Sequence, residues 1–81
     1  MGKIAHLIIW KQDVIRMVDA LCVFGTSELV PLKDDRLYRL SIRYRTSNNG
    51  RFIEALMRLS KEGIEIRKPE IRTIIFGRLE L

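Results

Sequence analysis

The segment Arg36–Arg45, R-L-Y-R-L-S-I-R-Y-R, constrains the fold more than any other part of the chain. Tyr38, Leu40, Ile42 and Tyr44 share one parity; Arg39, Ser41, Arg43 and Arg45 share the other. Successive side chains of a strand point to opposite sides, so this period-two pattern specifies a half-buried β-strand. Its apolar side must pack on something, and its cationic side must face water or an anionic partner.

The rest of the chain sets the scale. Its 81 residues fit one domain, 1–81, with a modest core. Hydrophobic residues at 47% and charged residues at 31% describe a globular chain rather than a disordered one. Fifteen Lys and Arg against ten Asp and Glu leave a net charge of +5, which excludes an acidic cation buffer and permits a polyanion partner. The excess is local: Arg36, Arg39, Arg43, Arg45 and Arg51 fall in a stretch with no acidic residue. One cysteine and one histidine can form neither a disulfide framework nor a zinc site from a single copy. Apolar runs such as Leu7–Trp10 are far short of a membrane span, and no secretory leader is visible. The expectation is a cytoplasmic protein without a membrane partner. Sparse amides (Asn48, Asn49 and Gln12) beside abundant charge give a thermophile-like composition.

Around the arginine strand, other elements follow. Thr46–Gly50 is a polar break offering helix-capping residues. Phe52, Ile53, Leu56, Met57 and Leu59 then recur at helical spacing from about Arg51 to Glu62, and Gly63 is placed as the residue after the cap. Ile64–Arg67 alternates, Lys68-Pro69-Glu70 interrupts, and Ile71–Leu81 reads as a long final strand. Glu28–Leu32 is a short strand that Pro31 assigns to a sheet edge, joined to the arginine strand by Lys33-Asp34-Asp35. Asp13 to Phe24 is a helix with Val14, Ile15, Val18, Leu21 and Cys22 on its apolar face and Gly25 as its stop.

The opening segment has two readings. Lys3–Trp10 is short, apolar and isoleucine-rich, as a central strand would be. Its apolar residues also continue the stripe of the following helix. Lys11 in the middle of that stripe favours a strand followed by a separate helix. The resulting β-α-β-β-α-β order resembles the ferredoxin-like arrangement, an α+β class with two helices on one side of an antiparallel sheet and room for one extra C-terminal strand. In that topology the first and third strands are central, and the proline-bearing segments fall on the edges.

Catalytic constellations are weak. His6 is far in sequence from any carboxylate and reads as a packed residue, as does Cys22 on the helix's apolar side. Asp34-Asp35 suits a turn better than a metal. Asp13, near the end of the first strand, resembles the metal-binding aspartate of small ferredoxin-like nucleases of CRISPR systems, which implies a metal-dependent nuclease using Asp13 with Asp34 or Asp35. A helix N-cap explains Asp13 without that chemistry. Ser47-Asn48-Asn49-Gly50 could hold an anion at a helix start, but capping needs the same residues. No phosphate-cradling glycine motif is present.

The expected function is therefore non-enzymatic binding, with no cofactor and no metal. Arg39, Arg43 and Arg45 would point from a central strand, with same-side neighbours about 7 Å apart, a spacing able to match phosphates. Lys11, Arg72 and Arg78, with Lys3, would extend the site on adjacent strands. Sheet-face binding is also how RNA-binding domains of this topology work. The chain lacks their aromatic K/R-G-F/Y-G/A-F-V-x-F/Y stretch, and its tyrosines fall on the apolar side; Trp10 could stack a base if Ile4, His6, Ile8 and Trp10 face outward. A long final strand paired with a short one argues for a homodimer, as in ACT-type regulatory domains, although Trp10–Asp13 holds none of the glycine those domains often place there. The leading expectation is a DNA- or RNA-binding homodimer. The alternative is a protein-interaction or oligomerisation module.

Overall fold

The computed structural model describes residues 1–74, which form an α+β structure: a four-stranded antiparallel sheet with two helices. The strands are β1 (Gly2–Trp10), β2 (Gly25–Pro31), β3 (Leu37–Arg45) and β4 (Arg67–Ile74); the helices are α1 (Val14–Leu21) and α2 (Asn49–Lys61). Spatial order is β2-β3-β1-β4, so the arginine strand β3 and the isoleucine-rich strand β1 are central. Pro31 and Pro69 lie in the two edge strands, where a missing N–H removes least from the ladder.

The opening segment is a strand and not a long helix. It pairs with β3 from Gly2↔Arg45 to Trp10↔Leu37, and its odd residues Ala5, Leu7 and Ile9 are fully buried. They meet Leu40, Ile42 and Tyr44 of β3 in one core, completed by Met17 and Leu21 of α1 and by Phe52, Ala55, Leu56 and Leu59 of α2. Both helices therefore cover the same side of the sheet. Phe52 stacks on Tyr44 with centroids 4.1 Å apart and takes Phe24 edge-on at 5.4 Å, geometry worth about 0.5–1.5 kcal/mol per pair beyond area burial.

Several local expectations are corrected. α1 is shorter than expected, because Lys11–Asp13 and Cys22–Phe24 on either side of it are 3₁₀ turns. Its buried residues are Met17 and Leu21, whereas Ile15 is 75% exposed and Cys22 is exposed, not packed. The thiol donates to the Asp19 carbonyl oxygen at 3.4 Å. Asp13 occupies the N-cap position of α1 but makes no side-chain capping bond. Gly25 does follow the last helical residue, Phe24, in extended backbone, and it opens β2 so close to β3 that a Cβ there would lie 1.9 Å from the Arg43 carbonyl oxygen.

Ile64–Ile66 is a connector rather than a strand. Its shape comes from the end of α2, where Gly63 has φ +98°. The Ile64 N–H donates to Leu59 O and the Gly63 N–H to Ser60 O, each at 3.1 Å, with Ile64 buried near Leu59. That is the Schellman pattern of bonds. β4 then starts at Arg67, and the Lys68-Pro69 break lies inside it: Lys68 has φ +45° and the β1–β4 register shifts between His6 and Ile8. The extra strand and the far end of the expected Ile71–Leu81 strand fall on residues 75–81, outside the described residues. No helix among the described residues is long and apolar enough to cross a membrane.

Candidate functional site

With the helices on one side, the other side of the sheet carries the odd residues of β3 and the even residues of β1. Register then dictates what meets what. Arg43 lies opposite Ile4, which lies opposite Arg72; Ser41 lies opposite His6, which lies opposite Glu70; Arg39 lies opposite Ile8. On the outer flank of β3, Thr26, Glu28 and Val30 of β2 face Arg43, Ser41 and Arg39. A polar row thus crosses the sheet, with guanidinium groups on either side of it.

The centre of that row is a hydrogen bond between Ser41 Oγ and His6 Nδ1, at 2.7 Å. Ser41 is only 6% exposed, and the bond satisfies a hydroxyl that burial would otherwise leave costly. Around the pair, β1, β2 and β3 form a shallow hollow of about 510 Å³ whose lining includes Ile4, Glu28, Arg39 and Arg43. Because Ser41 stands between them, Arg39 and Arg43 are four residues apart, about 13 Å along the strand.

The pairing of charges singles out the same arginines. The ion pairs among the described residues are Arg16–Glu62 at 3.4 Å, Arg36–Asp34 at 2.9 Å, Arg67–Glu65 at 3.9 Å and Arg72–Glu70 at 3.1 Å. Arg39, Arg43 and Arg45 are exposed and take part in none of them. Glu65 and Glu70 are engaged on their own segment, Glu80 lies outside the described residues, and Glu28, which faces Ser41 from β2, forms none of these ion pairs.

Other expected site residues are distributed differently. Arg72 shares the open side, but its charge is already met by Glu70. Lys11 is in the 3₁₀ turn beyond β1, off the sheet face, beside a cleft lined by Trp10, Gln12, Ile15 and Arg36. Lys3 has the parity of the helix side, and its ammonium donates to Thr73 Oγ1 at 3.2 Å. Arg78 lies outside the described residues. Ile4, His6, Ile8 and Trp10 do face away from the helices, yet the Trp10 ring is occupied. Guanidinium carbons of Arg36 and Arg67 sit 5.8 and 5.4 Å from its centroid, and its Nε1 donates to Glu65 Oε1 at 3.1 Å. Sequence reasoning missed the Ser41–His6 pair, whose partners are 35 residues apart and meet only through the β1–β3 register.

Two of the remaining acidic and polar candidates, Asp34 and Asn49, have structural occupations. Asp34 Oδ1 accepts from the Arg36 backbone N–H and Nε, both at 3.0 Å, and Oδ2 accepts from its terminal nitrogen at 2.9 Å. These side-chain and backbone hydrogen bonds from Arg36 lower the Asp34 carboxyl to about 2. Asn49, at the start of α2, accepts the Tyr44 hydroxyl at 2.8 Å, and burial raises the Tyr44 pKa. Among the described residues, no three His, Cys, Asp or Glu side chains converge as metal ligands would.

No family model, curated protein or solved structure matches the chain.

Proposed function

We propose that this chain is a ferredoxin-like binding module that holds nucleic acid against the open side of its sheet, acting as a homodimer and without catalysis of its own. The observation that carries the reading is the set of exposed, unneutralised guanidinium groups at Arg39, Arg43 and Arg45 on one parity of a central strand, among the described residues. A rigid central strand holds their backbone positions at fixed separations, so little backbone freedom remains to be lost on binding phosphates. The Ser41–His6 pair between Arg39 and Arg43 adds polar atoms able to meet a phosphate or a base edge.

Binding of this kind is directed mainly at phosphates. The ring of Trp10, the aromatic residue on this side of β1, has the guanidinium carbons of Arg36 and Arg67 5.8 and 5.4 Å from its centroid, and these groups compete with a base for stacking on it. Affinity should then be strongly salt-dependent and only weakly sequence-dependent. Fluorescence anisotropy with single- and double-stranded oligonucleotides over a salt series tests it. Binding that strengthens steeply as salt falls supports the reading, and no binding at low salt defeats it.

A second reading draws on Ile4 and Ile8, which lie half-exposed between the arginine rows. Apolar residues rimmed by cations also suit an acidic protein surface. That reading expects wild-type protein to ignore oligonucleotides, and an Arg39→Ala/Arg43→Ala variant to alter protein assembly instead.

A further inference from the structure

We infer that the outer edge of β4 is the dimer interface, joining two copies through antiparallel pairing of β4 with itself about Ile71. The inference rests on the dimeric state proposed above and assigns it an edge, a register and two contacts. β4 is a terminal strand of the described sheet, so its outer ladder groups have no partner among the described residues. Such an edge invites pairing with another chain.

The register follows from charge. Two antiparallel strands related by a twofold axis perpendicular to the sheet must place the axis on a residue if their sides are to match. Centring on Glu70 sets two carboxylates opposite one another, and centring on Arg72 sets two guanidinium groups opposite one another. Centring on Pro69 opposes two residues that lack an N–H. Centring on Ile71 instead places Glu70 of each copy across from Arg72 of the other. Both residues are exposed and lie on the same side of β4, where they now pair with each other at 3.1 Å. On the helix side, Ile71 packs partly against the core. Two copies of it meeting on the axis would extend that apolar layer across the junction.

The opposite edge lacks this complementarity. β2 carries a single charge, Glu28, and self-pairing about Glu28 opposes two carboxylates. Pairing about Ser27 or Leu29 brings no opposite charges together. A β4 junction also keeps the Arg39, Arg43 and Arg45 sides of both copies on one side of an eight-stranded sheet, which doubles the proposed binding surface.

Sedimentation velocity over a concentration series, without nucleic acid, provides the test. Glu70→Arg and Arg72→Glu should each weaken the dimer about tenfold or more, because two favourable cross-strand pairs become two repulsive ones. A one-to-one mixture of the two variants should restore association as a heterodimer, and the in-chain double swap Glu70→Arg/Arg72→Glu should dimerise like wild type. Circular dichroism checks that each variant is folded. A dimer that ignores both single substitutions, or single variants that fail to associate when mixed, overturns the interface while leaving the dimeric state standing. A wild-type monomer at all concentrations overturns both. Oligonucleotide anisotropy reads the binding proposal separately.

Discussion

Gly25→Ala probes the junction that holds the arginine strand in place. Gly25 has φ 162°, extended backbone that alanine adopts freely, so the cost arises from space alone. The added Cβ would stand 1.9 Å from Arg43 O and 3.1 Å from Arg43 C, both backbone atoms that no rotamer change can move. β2 must shift outward by more than 1 Å, giving up part of its pairing with Tyr44 and Arg43. Overpacking of this kind typically costs about 1–3 kcal/mol, and the backbone contact places this case near the upper end. For a domain of this size, total stability is about 4–12 kcal/mol, so the loss is a large share. Urea denaturation followed by circular dichroism would show the midpoint falling with an unchanged slope. Gly63→Ala is the comparison: its φ of +98° strains alanine while nothing lies within 4 Å, so its cost should be about 1 kcal/mol. A Gly25→Ala loss below about 0.5 kcal/mol, or one smaller than that of Gly63→Ala, would refute the close-approach argument.

Tyr44→Phe removes the 2.8 Å bond to Asn49 while keeping the stack on Phe52, and should cost about 1 kcal/mol in the same denaturation assay. Asp34 is depressed in the folded state, so its contribution is present above its ordinary value of 3.8 and disappears as pH falls toward about 2. The stability difference between wild type and Asp34→Asn should therefore shrink across that window, and a carboxyl-carbon titration should find its midpoint near 2. Cys22 is exposed, so a thiol reagent should modify it fully in the native protein, at a rate unaffected by the destabilising substitutions above.

The two central strands were legible because their patterns are strong, whereas β2 begins three residues before the expected Glu28 and β4 begins at Arg67, before the expected Ile71. Alternation in Arg36–Arg45 located β3 to within one residue at its start, and the prolines placed β2 and β4 at the edges. α1 was harder, since Val14, Ile15, Met17, Val18, Ala20 and Leu21 make it apolar around most of its circumference. Arg16 and Asp19 still mark its wet side, so the apolar arc centres near Met17 and Leu21; Ile15 and Cys22 lie on the border of that arc, where packing against α2 and the sheet left both outside. The apparent strand at Ile64–Arg67 arose because a Schellman contact buries Ile64 and the Trp10 indole engages Glu65, so loop residues imitated a period of two. The candidate site was half legible. Parity alone put Arg39, Arg43 and Arg45 on one side, but the Ser41–His6 bond and the enclosure of Trp10 depend on registers between distant segments, which composition and periodicity do not encode.

The proposed binding function turns on contact between phosphates and the guanidinium groups of Arg39 and Arg43. Its most direct measurement is the slope of log K against log salt for a single-stranded oligonucleotide, compared between wild type and Arg39→Ala/Arg43→Ala. Each lost phosphate contact reduces that slope by about 0.7, so the double variant should be shallower by about 1.4 and weaker at low salt, with its fold and assembly unchanged. An unchanged slope and affinity would contradict the account.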